Sequence, residues 1–313
     1  MSVGVVFITH TAKHHLPKCL PPVLESTVPV RVLVVNSSSC DGTVELAREM
    51  GAETLVIPRP EFNQGVTREM ARKYLGTDIV VMMCPDTYGV DRNFLEPLVA
   101  PLRAGLADVS YARQVPHDGA GFFEAFHREF NYGTTSEIRS LGAGEEEDPR
   151  LFFCSDSCAA WRNDSLDAAG GFPVVLTGED TVATTRILRN GGRIAYVAEA
   201  VVKHSHRYGL ADEFRRHFDA GYARNVQFAE DMLRAKSDTS RGVEYVRQLF
   251  RRLLRERPWL LPYAALQVLV KYLGYRAGAS ARRLPFALVR RMASQDYYWS
   301  SVHFDPMDRY GRP

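Results

Sequence analysis

The chain has 313 residues, 45% of them hydrophobic and 24% charged, so it can bury one large core or two modest ones as an ordinary globular protein. Its five cysteines are scattered, and only Cys154 and Cys158 lie close together; with no completing His or Cys pair this excludes a zinc pattern and fits free thiols in a reducing compartment. The formal charge of +2 hides an asymmetry: Arg241 to Arg291 carries twelve Lys/Arg against Glu244 and Glu256. The body is therefore acidic and the C-terminal part basic, which suits either an anionic surface as partner or a solvated helical face. The basic residues sit among aliphatic helix positions without a recognition motif, so nucleic acid is not expected as a partner.

In chain order, "VGVVFITH" is a β-branched strand with no basic region before it, unlike a signal peptide. "KCLPPVLEST" reads as helical, and "VRVLVVNSSS" as a second strand of the buried, continuously apolar type. "DGTVELAREMG" follows as a helix with Asp41 as N-cap and Gly51 as stop. "AETLVIPRP" is a third strand, "NQGVTREMARKYLG" a helix opening after Asn63, and "DIVVMMCPD" a fourth strand ending at Pro85-Asp86. Strands alternating with helices predict a mostly parallel, doubly wound sheet whose ligand site lies at the strands' C-terminal ends.

From Pro116 to Pro149 the chain reads as irregular, with the acidic loop "GAGEEEDPR". Order returns with "LFFCSDSCAAWRND", a helix opening at "GEDT", and the strand "RIAYVAEAVVKHSH". After Tyr208 the pattern is helical and basic. Its apolar part, Trp259 to Val270, contains Pro262 and is shorter than the roughly 20 residues that cross a bilayer. It reads either as a core helix or as an interfacial one with basic residues toward lipid phosphates. The domain expectation is 1–215, with halves 1–115 and 116–215, followed by a helical basic region 216–313.

Four short motifs carry chemistry. "VVNSSSCDGT" ends a strand in small hydroxylated residues and Asp41, bringing backbone N–H groups and a carboxylate near a ligand; without a glycine triad it is no dinucleotide fingerprint. "CPDTYG" leaves Asp86 at a strand tip, where a carboxylate can hold a hard divalent cation, although a turn Asp serves equally. "VVKHSHRY" puts His204 and His206 on one side of an extended segment, as metal ligands, phosphate donors or half-buried polar residues. "GEDTVATTR" sets Glu179 and Asp180 at the start of a helix, where the helix dipole favours negative charge. Capping alone, worth about 0.5–2 kcal/mol, explains one acid well but not the pair.

Taken together, these motifs resemble the nucleotide-sugar-dependent family 2 glycosyltransferases of GT-A fold. The likeness is closest to the rhamnosyltransferase branch, through "EFNQGVTRE", "YARQVP", "FEAFHREFNY", "GEDT", "HSHRY" and "KYLGYRAG", and it covers nearly the whole chain. The resemblance implies that Thr9 and Asn36 line the base and ribose pocket, with Ser38 and Asp41 beside the nucleotide. It also implies that Asn63, Gly65 and Arg68 lie toward the donor diphosphate. Asp86 with His204 and His206 would face a Mg²⁺ or Mn²⁺ ion, and Asp180 would be the catalytic base with Glu179 beside it. Arg113, Gln114 and Trp161 supply a guanidinium, an amide and an aromatic face suited to an acceptor sugar, and each could equally serve packing. Three positions depart from the pattern: Asn36 replaces an Asp, Gln64 replaces a His common in the branch, and Tyr88 stands where a second metal-facing Asp is usual, leaving one carboxylate for the cation.

The activity this resemblance implies is an inverting transfer of a sugar, L-rhamnose from dTDP-L-rhamnose, to a hydroxyl of a polysaccharide or lipid-linked glycan. Such donors are cytoplasmic, so the expected location is the cytoplasm, with the basic helices able to meet the inner face of the plasma membrane. Two other readings remain. A nucleotidyltransferase would want a Gly-rich basic loop where this chain has "THTAKHHLPKCL". A degenerate transferase domain acting as a scaffold in polysaccharide assembly is favoured by Asn36, Gln64 and the missing Asp, and opposed by the retained acidic pair.

Overall fold

The computed structural model describes residues 1–142, 149–228 and 239–304, so most of the acidic loop and the end of the segment after Tyr208 lie outside the described residues. The chain divides into two compact units. The first comprises Met1–Glu145, Arg150–Val174 and Glu179–His206, and the second Glu146–Pro149, Val175–Gly178 and Arg207–Pro313. Leu210–Tyr222, in the second unit, forms one uninterrupted helix.

Nine strands among the described residues of the first unit form one sheet. They are β1 (Val3–Thr9), β2 (Val30–Asn36), β3 (Glu53–Val56), β4 (Ile79–Met83), β5 (Tyr88–Gly89), β6 (Val109–Val115), β7 (Glu137–Ser140), β8 (Cys158–Arg162) and β9 (Arg193–Lys203). Their order is β3-β2-β1-β4-β8-β6-β9-β5, with β7 also on β9. The N-terminal strands pair in parallel as the alternating pattern predicts, β1 carrying β2 on one side and β4 on the other. The sheet then becomes mixed, because β8 runs antiparallel to both β4 and β6 while β9 lies parallel to β6. This arrangement sends the C-terminal ends of β1, β2, β4, β6 and β9 and the N-terminal end of β8 to the same edge.

The helices of this unit are α1 (Leu16–Cys19), α2 (Pro21–Leu24), α3 (Thr43–Glu49), α4 (Gln64–Leu75), α5 (Leu95–Arg103), α6 (Phe122–Asn131), α7 (Asn163–Ala168) and α8 (Glu179–Arg189). Helix α4 starts where Asn63 Oδ1 accepts the Val66 N–H at 3.2 Å and stops at Gly76 with φ +58°, a left-handed C-cap. Val5, Phe7, Val34, Ile79, Val81, Leu95 and Leu98 are among the side chains of the buried core. Each fully buried aliphatic or aromatic side chain contributes about 1.5–3 kcal/mol relative to exposure.

The segment read as irregular contains α6 and β7. The Gly121 N–H opens α6 by donating to Glu124 Oε2 at 2.7 Å. β7 exists only through its antiparallel pairing with β9, a partner far along the chain that no local pattern reveals.

The second unit contains α9 (Leu210–Tyr222), α10 (Thr239–Glu256), α11 (Leu261–Ala279) and α12 (Phe286–Met292). Helices α9 and α11 meet backbone to backbone: a Cβ at Gly274 or Gly278 would collide with the carbonyl oxygens of Phe214 and Phe218. Beside them Phe218, Tyr222, Tyr298 and Trp299 form a buried aromatic cluster. The segment around Trp259 to Val270 therefore buries only one face in this unit, at Ala264 and Gln267. Trp259, Leu266, Leu269, Tyr272 and Leu273 remain exposed. Among the described residues no helix is long and apolar enough to cross a membrane.

Candidate active site

The turn after β2 is a self-contained polar scaffold. Asn36 is fully buried; its Nδ2 donates to Thr9 Oγ1 at 3.1 Å and to Ser39 Oγ at 2.9 Å, while its Oδ1 accepts the Ser39 N–H at 2.8 Å. Thr9 Oγ1 donates in turn to the Val35 carbonyl at 3.0 Å. Asp41 Oδ1 accepts from Ser39 Oγ at 2.8 Å and Thr43 Oγ1 at 2.6 Å, and Oδ2 accepts the Lys13 N–H at 3.1 Å. Burial works to raise the Asp41 carboxyl, but these hydrogen bonds outweigh it and hold the group well below the usual carboxylate range. Ser38 takes a left-handed φ of +55° and donates Oγ to the Ile57 carbonyl at 2.7 Å. Thr9 and Asn36 thus shape the turn from within, and the half-buried Asp41 is its accessible acid.

Asp86 follows β4, and the imidazoles of His204 and His206, just past β9, face it. His204 Nε2 lies 3.6 Å and His206 Nδ1 3.4 Å from Asp86 Oδ2. These three ligand atoms lie within 4.8 Å of one another, close enough to share one cation.

Gln114 decides the proton on His204. Arg128 Nη1, a donor only, points at Gln114 Oε1 at 2.7 Å, and His204 Nδ1 meets the same oxygen at 2.8 Å. That oxygen can only accept, so Nδ1 carries the hydrogen and the Nε2 lone pair is turned toward Asp86. Such an outer hydrogen bond is what orients a metal-ligating imidazole. One carboxylate and two imidazoles so arranged fit a divalent cation such as Mn²⁺. Tyr88, at the place of a second acid, is instead tied to His15 Nδ1 at 2.6 Å and packs on His117 with ring centroids 4.8 Å apart.

The acidic pair divides its work. Glu179 is buried, and its Oε1 meets Arg68 Nη1. Arg68 Nε lies 3.3 Å from Asp156 Oδ2, so one guanidinium sits between two carboxylates, with Arg68, Glu179 and Asp156 each at most 3% exposed. Asp180, half-buried, accepts the Thr181 N–H on Oδ1 at 2.7 Å and the Asp156 N–H on Oδ2 at 3.3 Å. Hydrogen bonds continue from this turn toward the cation site: Gln114 Nε2 donates to Ser155 Oγ at 2.9 Å. Asp180 and the Asp86–His204–His206 cluster therefore belong to one connected network at one edge of the sheet.

Several residues expected to touch substrate support the site from behind. Arg68 is buried and paired with Glu179 through Nη1 and with Asp156 through Nε. Asn63 caps α4, and Gly65 is there because a Cβ would strike the Pro173 carbonyl. Trp161 is fully buried, with Nε1–H donating to Asp156 Oδ1 at 2.8 Å, so it presents no face to a sugar. Gln114 is likewise buried and spent on His204, Arg128 and Ser155. Arg113, half-buried on β6, has a buried Nε–H without an acceptor among the described residues. Asp156, missed in the sequence, is buried; burial, with Asp180 nearby and against the pull of Arg68 and the Trp161 hydrogen bond, pushes its carboxyl up to about 7. The signal for it was an acid flanked by hydroxyls, "CSDSC", directly ahead of a buried strand.

The sequence profile of the family described as "Glycosyl transferase family 2" matches residues 4–170. The chain is also 30% identical over 310 residues to the O-antigen chain rhamnosyltransferase RfbN of Salmonella typhimurium, covering 97% of this chain and 98% of that protein. The chain belongs to glycosyl transferase family 2.

A second relative of this glycosyltransferase, the O-antigen chain rhamnosyltransferase WbaN of Salmonella anatum, is 32% identical over 284 residues, covering 90% of this chain and 89% of that protein. Among solved structures it is similar to the mannosyltransferase PcManGT from Pyrobaculum calidifontis, in complex with GDP-Man and Mn²⁺, with TM-score 0.57 and 19% identity over 95% of this chain and 85% of that one. It is also similar to S. aureus TarS 1–349, with TM-score 0.55 and 16% identity over 99% and 89% of the two chains. The fold is the GT-A one these glycosyltransferases share.

Removing the orienting amide while leaving every ligand in place tests the cation site. Calorimetric titration should give Gln114→Met an affinity for Mn²⁺ about 10–100-fold weaker than the wild type, and Asp86→Ala a larger loss. Equal affinities in all three proteins would contradict the site.

Proposed function

We propose that this glycosyltransferase moves L-rhamnose from dTDP-L-rhamnose, with inversion at the anomeric carbon, to a hydroxyl of a polysaccharide or lipid-linked glycan acceptor. The observation that carries the reading is the pairing of a half-buried Asp180, fixed by two backbone N–H groups, with the Asp86–His204–His206 cluster across one hydrogen-bonded turn. The two rhamnosyltransferase relatives, which match over nearly the whole chain, support the choice of sugar.

The chemistry rests on what each group can do. An inverting transfer needs a base to take the proton from the attacking hydroxyl and positive charge to receive the departing diphosphate. Asp180 offers a carboxylate whose orientation is fixed before substrate arrives, so little reorganisation is spent during reaction. Asp86, His204 and His206 would hold a divalent cation, which would supply positive charge toward the departing diphosphate. The turn carrying Asp41 offers hydroxyls and backbone groups to the nucleoside. Arg113 offers a guanidinium to the acceptor.

The second unit supports peripheral contact with the inner leaflet. Trp259 is 70% exposed, Leu254 63% and Tyr272 59%, an apolar display set among the arginines of α10 and α11. Aromatic and basic residues together suit an anionic lipid surface. Flotation with phosphatidylglycerol vesicles should carry the full chain at low salt, and Trp259→Ser with Tyr272→Ser should lose it; absence of flotation in the wild type would contradict this contact.

A thermal-shift panel of nucleotides with Mn²⁺ tests the donor, since a ligand of the folded state raises the melting temperature by mass action. dTDP and dTDP-L-rhamnose should shift it, and preference for UDP or GDP compounds would overturn the rhamnose assignment. Asp180→Asn should abolish transfer while keeping the dTDP shift. Acceptor-dependent release of dTDP by the wild type separates an enzyme from a scaffold.

A further inference from the structure

We infer that Asp156, on the turn before β8, is a positioning residue for sugar transfer, fixing Asp180 through its backbone and fixing that backbone through its own buried side chain. The inference rests on Asp180 being the base, as proposed for this enzyme, and adds a residue that no sequence motif of the site contains.

The geometry has two halves. The Asp156 N–H donates to Asp180 Oδ2 at 3.3 Å, so where this turn sits decides where that oxygen points. The side chain then determines where the turn sits. Its Oδ1 accepts from Trp161 Nε1 at 2.8 Å, and Trp161 is fully buried on β8, locked edge-on against Phe172 with ring centroids 5.1 Å apart. Its Oδ2 faces Arg68 Nε at 3.3 Å, and Arg68 also holds Glu179, the residue next to Asp180. One guanidinium thus ties together both segments that touch the base. The turn is secured on its other side as well, where the Cys84 N–H donates to the Ser157 carbonyl at 3.2 Å and Gln114 holds Ser155.

Stability alone gives little reason for an acid here. Asp156 is 2% exposed, its Oδ2 makes no well-directed hydrogen bond, and burial raises its proton affinity. Replacing a buried ion pair with apolar groups is often neutral or stabilising. What the carboxylate provides is a fixed distance between strand β8, helix α4 and the start of α8. A misplacement of about 1 Å at a reacting group costs about 100-fold in rate, so small slack in this turn is expensive for chemistry.

The test compares wild type, Asp156→Asn and Asp156→Ala as full-length, Mn²⁺-loaded proteins, reading kcat, the KM for dTDP-L-rhamnose and the thermal shift given by dTDP. Asp156→Ala should lower kcat about 100-fold, with KM and the dTDP shift within about twofold of wild type. Asp156→Asn keeps the acceptor for Trp161 and should recover part of the loss, giving the order wild type, Asn, Ala. A proportional fall in kcat and dTDP binding, or kcat within about threefold of wild type in both variants, overturns the inference. If the alanine variant does not fold, the isosteric asparagine variant decides alone: kcat reduced about 10-fold at unchanged dTDP shift supports positioning, and unchanged kcat overturns it. Failure of the parent reading looks different, because the wild type itself would then transfer no rhamnose.

Discussion

The Arg68 guanidinium, buried between Glu179 and Asp156, is the constraint on which the rest of the site depends. It joins three parts of the chain that are distant in sequence: α4, the turn before β8 and the N-terminus of α8. Two carboxylates around one buried cation are costly to desolvate, and removing a single partner from such a group costs about 3–5 kcal/mol. Because the group is expensive to disturb, it holds Asp180 in one place. Asp180, the half-buried acid of the pair, is the direct neighbour of the buried and anchored Glu179.

The sheet explains why the cation cluster lies within reach of that acid. Asp86 follows the end of β4, β9 runs out into His204 and His206, and β8 begins just after Asp156. Since β8 is antiparallel to β4 and β6, its beginning shares an edge with their ends. A chain of direct contacts, Asp180 to Asp156, Ser155 to Gln114 and Gln114 to His204, then spans that edge. The reversal at β8 is what brings the start of one strand to the edge where the parallel strands end.

Much of this was legible in the sequence wherever a local pattern carried it. The N-terminal strands and helices follow from apolar runs, caps and glycine stops, and the acidic pair and the two histidines stand out by spacing alone. Likeness in motif order added the family and its GT-A fold, expected as a mostly parallel sheet; the antiparallel pairing of β8 was not foreseen. What escaped depends on distant partners. β7 is a strand only because β9 is beside it, and Asp156 matters only because Trp161 and Arg68 converge on it. Arg68, Asn63, Gly65, Gln114 and Trp161 are all buried, and sequence spacing does not distinguish a residue that touches substrate from one that braces its neighbour. Tyr88 was visible as a departure; that it is held by His15 and His117 was not.

The most direct test of the role of Arg68 is a double-mutant cycle on kcat for transfer, using Arg68→Met, Glu179→Gln and the two combined. If the guanidinium and Glu179 act as one anchor for Asp180, each single change slows transfer and the double variant is no slower than the worse single, a coupling of at least about 1 kcal/mol. Strictly additive losses would show that the two residues act independently and that Asp180 is held by something else.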